Sequence, residues 1–150
     1  MASAAAIQAF VSQKALALFG ASRGGNKFGN IVMRELKNKD YTVFPVHPEA
    51  DSIDGVRCYR SLDELPEPAG GAVISVKPEQ TLEVVKQAHA AGIPRVWMQQ
   101  GAESKDAIAY CEEHGIDVTS RECILMFLEP VQSIHAFHRF LRRVFGRMPA

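Results

Sequence analysis

One stretch decides the fold, Ala15-Leu16-Ala17-Leu18-Phe19-Gly20-Ala21-Ser22-Arg23-Gly24-Gly25-Asn26-Lys27-Phe28-Gly29. A short apolar run ends at Gly20, and a glycine-rich loop with hydroxyl and basic side chains follows it. From Phe28 to Leu36 the apolar residues recur at the spacing of one helix face. The stretch therefore predicts a strand, a glycine turn and a helix, in that order. Such a turn directs backbone N–H groups and the positive end of a helix dipole at one point, where a phosphate fits.

Side chains of the loop add to this predicted phosphate site. Ser22 would supply a hydroxyl donor, and Arg23 and Lys27 would form charge-assisted hydrogen bonds with phosphate oxygens. A dinucleotide fingerprint needs glycine where Ser22 stands, and a Walker loop needs lysine where Asn26 stands. Gly20–Gly24 also matches the G-x-S-x-G nucleophile elbow, but too little chain precedes Ser22 for a serine hydrolase. A tight strand-to-helix turn without a ligand remains the alternative.

Bulk composition limits the class of protein. The chain has 150 residues, a formal net charge of +0 and 47% hydrophobic residues, which predicts one globular domain. Neutrality gives no general attraction to nucleic acid, and no apolar run or leading segment predicts a membrane span or a signal peptide. Cys58, Cys111 and Cys123 form no C-x-x-C pair, so neither a metal site nor a disulfide framework is expected. A cytoplasmic location follows as the simplest expectation.

Strands and helices alternate along the chain. This rhythm predicts an α/β fold with a doubly wound, Rossmann-like parallel sheet in a single three-layer domain. Ligands of such sheets bind outside the carboxyl ends of the strands, where the winding reverses. Predicted strands cover 14–20, 41–46, 71–76, 95–99 and 116–119, with a short edge strand at 56–59, and predicted helices begin near residues 2, 27, 78 and 104.

The loop after the second predicted strand argues against a nicotinamide cofactor. Nicotinamide-binding versions of this fold place Asp or Glu there to hold the ribose hydroxyls. This chain has His47 and Pro48 at that point, with Glu49 beyond the proline. Without a carboxylate, the pocket does not repel an additional phosphate on the ribose. A shift in the loop boundary remains the alternative.

Four blocks of sequence carry a resemblance to a known family. The chain resembles the small, stand-alone CoA-binding proteins and is similar to the N-terminal domain of the succinyl-CoA synthetase α subunit. The resemblance spans roughly residues 7–130, although relatives often carry Asn-Pro where His47-Pro48 stands. The blocks are Phe19-Gly20-Ala21-Ser22 with Lys27 and Gly29, then Val43-Phe44-Pro45-Val46-His47-Pro48, Val96-Trp97-Met98-Gln99-Gln100-Gly101-Ala102, and Arg121-Glu122-Cys123.

The resemblance implies coenzyme A (CoA) or acyl-CoA as the ligand. By position it implies that the glycine loop surrounds phosphates, that the second-strand loop lies on the adenosine side, and that two further loops line the path of the pantetheine arm. Cys123 would either face the thiol end of CoA or act as a small packed residue. The implied binding residues are Gly20, Ala21, Ser22, Arg23, Lys27 and Gly29, then Val46, His47 and Pro48, and finally Val76, Lys77, Pro78, Gln100 and Gly101.

The same resemblance implies a binding module rather than an enzyme. The related ligases carry a phosphorylated histidine and a nucleotide-grasp region in further domains. We therefore expect no catalytic residue and no metal site in this chain. Two alternatives stay open: an NAD(P)-type oxidoreductase or nucleotide sensor of the same fold, and an interaction subunit that binds no ligand.

The last twenty residues or so differ from the ligase domain. We expect a CoA-binding domain at 1–130 and a C-terminal amphipathic, basic helix at 131–150 that belongs to the same compact unit. Apolar residues recur there at helical spacing, and four arginines lie beside them at Arg139, Arg142, Arg143 and Arg147. The helix would pack on the sheet, or it would contact a second copy, a partner protein or a membrane surface.

Overall fold

A computed structural model describes residues 3–25 and 27–128 of the chain. The predicted helix at 131–150, and with it the expected contact to a second copy or a partner, lies outside the described residues and stays a prediction. In the part that is described, no helix is both long enough and apolar enough to cross a membrane.

The centre of the protein is a five-stranded parallel sheet, which confirms the predicted Rossmann-like α/β fold. Its strands are β1 (Ala15–Phe19), β2 (Thr42–Val46), β5 (Gly71–Ile74), β6 (Arg95–Gln99) and β7 (Asp117–Glu122), in the spatial order β2-β1-β5-β6-β7. The helices are α1 (Ala4–Val11), α2 (Phe28–Asn38), α3 (Pro78–Ala90) and α4 (Lys105–Glu113).

Alternate side chains of each central strand enter different cores, and this produces the three layers. Leu16 and Leu18 of β1 join a cluster that includes residues of α1 and α2, such as Phe10 and Met33. Ala17 and Phe19 join a second cluster with residues of α3 and α4. A parallel sheet covered on both faces needs strands that are apolar on both sides, and the continuous apolar run of β1 meets that need.

The winding reverses at β1. From β1 the chain passes to β2 on one side, returns across the sheet to β5 on the other side, and then continues outward to β6 and β7. The carboxyl ends of β1 and β5 therefore diverge into connections on opposite faces. A crevice opens between such connections and is the usual ligand position in this class of sheet.

The segment between β2 and β5 differs from the prediction. The predicted edge strand at 56–59 is found only in part. Tyr59 bridges to Val46 at the outer edge of β2, whereas β4 (Val56–Arg57) pairs with β3 (Ser52–Ile53) in a small antiparallel hairpin outside the main sheet. Asp54 and Gly55 form its turn with φ of 51° and 77°, the positive values that a two-residue hairpin turn requires. The Asp-Gly pair was the signal for this hairpin in the sequence.

Pro45 is accommodated because β2 is an edge strand. Its carbonyl accepts a hydrogen bond from the Tyr59 amide on the outer side of the sheet (2.9 Å), and Tyr59 O accepts from the His47 amide at the same distance. The N and O atoms of a strand residue face the same neighbour, so the Pro45 nitrogen also faces outward. The missing N–H therefore removes no hydrogen bond between β2 and β1.

Candidate functional site

Two glycines allow three chain segments to meet at the carboxyl end of β1. Gly20 has φ of 117°, and a Cβ atom there would lie 2.1 Å from the carbonyl oxygen of Ser75, the residue that follows β5. A Cβ atom on Gly29 in α2 would lie 2.6 Å from the carbonyl oxygen of Gly20. The backbones of β1, α2 and β5 are thus packed too closely for any side chain at these positions. This contact sets the geometry of the glycine loop.

The side chain of Asn30, in the first turn of α2, forms hydrogen bonds with the backbone at both ends of the glycine loop. The side chain is fully buried, its Nδ2 donates to Ser22 O at 2.9 Å, and its Oδ1 accepts from Ser22 N at 2.9 Å and Lys27 N at 3.3 Å. The Ser22 hydroxyl also lies 3.3 Å from Oδ1. One amide side chain therefore satisfies the backbone of Ser22, so the Ser22 amide N–H is already bonded within the protein. The sequence reasoning missed Asn30, although a polar residue among the apolar positions of α2 was a signal.

A cleft of about 610 Å³ opens beside this turn, at the carboxyl ends of β1 and β2 and against α3. Its volume is within the range typical of small-molecule sites. A second concavity, of about 290 Å³, contains Lys14 and Tyr41 at the amino ends of β1 and β2, the opposite edge from the usual ligand position. The larger cleft is lined by Phe19, Gly20, Ala21, Lys27, Val46, His47, Pro48, Arg60, Val76, Glu79, Gln80, Glu83, Val84 and Gln87.

The predicted binding residues divide between the wall of this cleft and its surroundings. Those on the wall are Gly20, Ala21, Lys27, Val46, His47, Pro48 and Val76. Ser22 and Gly29 belong to the packed turn behind the wall, and Arg23 lies at the rim, 3.9 Å from the Glu49 carboxylate. The remaining four, Lys77, Pro78, Gln100 and Gly101, are exposed and do not line the cleft.

Those four exposed residues nevertheless belong to two loops that are fastened together. Lys77 and Pro78 form the N-cap and first position of α3, and Gln100 and Gly101 follow β6. The buried Thr81 hydroxyl in the first turn of α3 donates to Ala102 O at 2.6 Å, which ties the loop after β6 to α3. The loops are neighbours at the carboxyl edge of the sheet, as predicted, but outside the cleft.

Charge is unevenly distributed around the cleft. Among the described lining residues the cations are Lys27, before α2, and Arg60, after the hairpin. The anions are Glu79 and Glu83, one turn apart on α3. A ligand with phosphate groups would therefore be attracted to the side of β1 and β2 and repelled by α3. Arg60 was missed by the sequence reasoning, because its proximity to the second-strand loop depends on the hairpin.

His47 acts as a backbone acceptor in the second-strand loop. Its Nδ1 accepts hydrogen bonds from the amides of Glu49 (3.0 Å) and Ala50 (2.9 Å). Asparagine side chains form the same kind of bond in an Asx turn, so the His47 ring closes this turn as an Asn side chain would. With Nδ1 as the acceptor, the proton of the neutral ring is on Nε2, which is the ring's donor.

The Trp-Met-Gln and Arg-x-Cys blocks meet in the structure, but as packing rather than as part of the cleft. Trp97 Nε1 donates to Glu122 O at 2.9 Å. The buried Gln99 accepts from Ile124 N at 2.7 Å through Oε1, and its Nε2 lies 3.5 Å from Cys123 Sγ. These bonds join β6 to the end of β7. Cys123 packs against the core formed with α1 and α2 and does not line the cleft, which favours the packing role.

The other two cysteines are buried thiols. Burial, with a smaller contribution from Glu112, raises the pKa of Cys111 to about 11. Burial and then Asp51 also raise the pKa of Cys58. Both thiols are therefore protonated at neutral pH and are poor nucleophiles. Within residues 3–25 and 27–128, no group of three or more His, Cys, Asp or Glu side chains is arranged to hold a metal ion.

Comparison with known proteins gives a consistent set of similarities. Residues 14–129 match the family model described as a CoA binding domain. The chain is 25% identical over 136 residues to ADP-forming acetate–CoA ligase I of Archaeoglobus fulgidus, which covers 84% of this chain and 20% of that protein. The chain thus spans about a fifth of the length of that ligase.

Two similar proteins are closer to this chain in length. The uncharacterized protein YneT of Bacillus subtilis is 27% identical over 111 residues, which is 74% of this chain and 82% of that protein. The solved structure of a conserved hypothetical protein from Pyrococcus furiosus is 40% identical, with a TM-score of 0.70, over 74% of this chain and 96% of that chain.

Proposed function

Because the chain belongs to the CoA-binding domain family, we propose that it binds CoA or acyl-CoA in the cleft beside Gly20 without catalysing a reaction on it. One observation carries the proposal. The glycine turn and the second-strand loop line one cleft at the point where the winding of the sheet reverses, and two cations, Lys27 and Arg60, line the same cleft. A ligand with several phosphates and a ribose matches that arrangement of backbone turn, cations and polar loop.

Similar proteins of comparable length support a binding module rather than an enzyme. This chain covers most of YneT and of the Pyrococcus furiosus protein, whereas it covers a fifth of the acetate–CoA ligase. A ligase reaction also needs groups that activate a carboxylate with a nucleotide, and we propose CoA contacts only for the cleft described here. We further propose a cytoplasmic location, since Cys58, Cys111 and Cys123 are free thiols.

Thermal unfolding with candidate ligands tests the proposal. A ligand that binds only the folded state stabilises it by about 2.7 kcal/mol at one hundred times its dissociation constant. Each kcal/mol raises the Tm of a domain of this size by roughly 2–4 °C, so CoA is expected to raise it by about 5–10 °C. A larger Tm shift with NAD or NADP than with CoA would identify a nicotinamide dinucleotide, and not CoA, as the ligand. No shift with any of CoA, NAD, NADP and ATP would favour an interaction subunit.

A matched pair of lysine variants locates the binding. Lys27→Ala removes a cleft cation and is expected to weaken CoA binding by about 1.5–3 kcal/mol, the range for hydrogen bonds to charged groups. Lys86→Ala, an exposed position on α3 outside the cleft lining, is the control and is expected to bind CoA as the parent does. Equal affinity in both variants would remove Lys27 from the site.

Activity is tested separately from binding. The protein is incubated with CoA, ATP, Mg²⁺ and a panel of short carboxylic acids, and products are separated by chromatography. We expect no acyl-CoA above the amount formed without protein. Turnover by the purified chain would contradict the binding-module proposal while leaving CoA as the ligand.

A further inference from the structure

We propose that Arg60 is the residue that recognises the phosphate on the ribose of CoA, the 3′-phosphate that distinguishes CoA from dephospho-CoA. This inference rests on the proposed function, because it assigns a specificity residue within the same cleft. It concerns a side chain outside every sequence block that pointed to the family, brought to the cleft by the segment after the hairpin.

The side chain of Arg60 is held in place by the loop after β2, and the same loop would face the ligand. Its guanidinium donates to Pro48 O at 3.4 Å and to Asp51 Oδ1 at 3.1 Å. Its backbone N–H donates to the Glu64 carboxylate at 3.2 Å. A guanidinium has five N–H donors in a planar fork, so these two side-chain contacts orient the group and leave further donors for an anion. The side chain is 57% exposed and lines the cleft.

The position of Arg60 in the fold identifies which phosphate it would meet. In Rossmann-type sheets the first strand-to-helix turn holds the diphosphate, and the end of the second strand faces the ribose. In the dinucleotide-binding versions of this fold, a carboxylate after the second strand binds the ribose 2′-hydroxyl of NAD, and an arginine nearby accommodates the 2′-phosphate of NADP. The phosphate of CoA is on the adjacent ribose carbon, so the same argument applies to it. Pro48, whose carbonyl oxygen accepts from Arg60, lies two residues after the end of β2, so Arg60 lies beside the loop that would face the ribose.

The two cations that line the cleft, Lys27 and Arg60, lie beside different parts of the proposed ligand site. Lys27 lies at the start of α2, beside the glycine turn, where a diphosphate would bind. Glu49, the acid nearest in sequence to the end of β2, lies 3.9 Å from Arg23 at the rim and does not line the cleft. The Asp51 carboxylate, 3.1 Å from the Arg60 guanidinium, likewise lies outside the cleft lining. Among the described residues, the acids of the second-strand loop therefore pair with arginines, and none of them lines the cleft wall beside Arg60.

The test compares two ligands in two variants by titration calorimetry. In the parent, CoA is expected to bind about tenfold or more tightly than dephospho-CoA, on the scale of hydrogen bonds to charged groups. Arg60→Gln is expected to weaken CoA binding about tenfold, to leave dephospho-CoA within about twofold, and so to abolish the preference. Lys27→Ala is expected to weaken both ligands equally, because both carry the diphosphate.

Arg57→Gln is the matched control. Arg57 is an exposed arginine of the hairpin whose guanidinium lies 5.3 Å from the Tyr59 ring centroid, and it does not line the cleft. We expect this variant to keep the CoA preference, and Arg60→Lys to retain part of it. Arg60→Gln with an unchanged preference, or with an equal loss for both ligands, would overturn the assignment. Absence of CoA binding in the parent would instead overturn the proposed function.

Discussion

Replacement of Gly20 by alanine tests the close contact on which the cleft depends. Gly20 has φ of 117°, and its added Cβ would lie 2.1 Å from the oxygen and 2.6 Å from the carbon of the Ser75 carbonyl group. The obstructing atoms belong to the backbone after β5 and cannot rotate away as a side chain would. The variant must therefore separate β1 from β5 or distort the glycine turn.

Two costs add in this variant. A residue held in a sparsely populated region of φ costs about 1–3 kcal/mol, and overpacking in a closely packed region costs about 1–3 kcal/mol. We expect the free energy of unfolding to fall by about 2–6 kcal/mol, a large part of the 5–15 kcal/mol typical of a domain. CoA affinity is expected to fall as well, because Gly20 lines the cleft.

Variants at two other glycines measure the two costs separately, by urea unfolding followed by circular dichroism. Gly92 has φ of 78° with no atom within 4 Å of an added Cβ, so Gly92→Ala carries the conformational cost alone. At Gly29 an added Cβ meets the backbone of Gly20 at 2.6 Å, so Gly29→Ala carries the contact cost, offset by up to about 1 kcal/mol of helix propensity. The reasoning is refuted if Gly20→Ala equals Gly92→Ala within about 0.5 kcal/mol and Gly29→Ala is stabilising.

The remaining predictions concern a buried amide and a buried thiol. Asn30→Ala is expected to lower the free energy of unfolding by about 1–3 kcal/mol and to weaken CoA binding, because the backbone N–H and C=O of Ser22 lose their bonds to the Asn30 side chain. The exposed Asn38→Ala is the control, and equal unfolding curves would contradict the role of Asn30. The raised pKa of Cys111, about 11 in the fold, means that the unfolded state loses its proton first, so stability is kept below pH 9 and declines toward pH 11. Cys111→Ala is expected to show a smaller decline in Tm across that range, and an unchanged slope would contradict the burial effect.

Local signals were sufficient to predict the fold, because each one depends on neighbours in sequence. The apolar run before Gly20 and the helical spacing after Phe28 predicted β1, the turn and α2 at nearly the observed bounds. Alternation of such units then predicted a parallel sheet. Right-handed crossovers between its strands limit the possible topologies to few.

The candidate site was harder to predict from the sequence than the fold, because its contacts join residues that are distant in sequence. Arg60 reaches the loop after β2 only through the hairpin, whose Asp54–Gly55 turn was overlooked. Asn30 was assigned to a helix, and the sequence does not reveal that its side chain turns back to Ser22. Cys123 and Gln99 stand in blocks that carry the resemblance to the family, yet their contacts join β6 to the end of β7 and neither residue lines the cleft.

The edges of the sheet have a consequence for solubility. An exposed strand edge is a template on which another chain can add a strand and begin aggregation. On the β2 edge, Pro45 offers no N–H and the adjoining groups are already bonded to Tyr59. On the β7 edge, the register shifts where Arg121 adopts φ of 64°, which interrupts regular pairing. Both described borders of the sheet therefore discourage the addition of a strand from another chain.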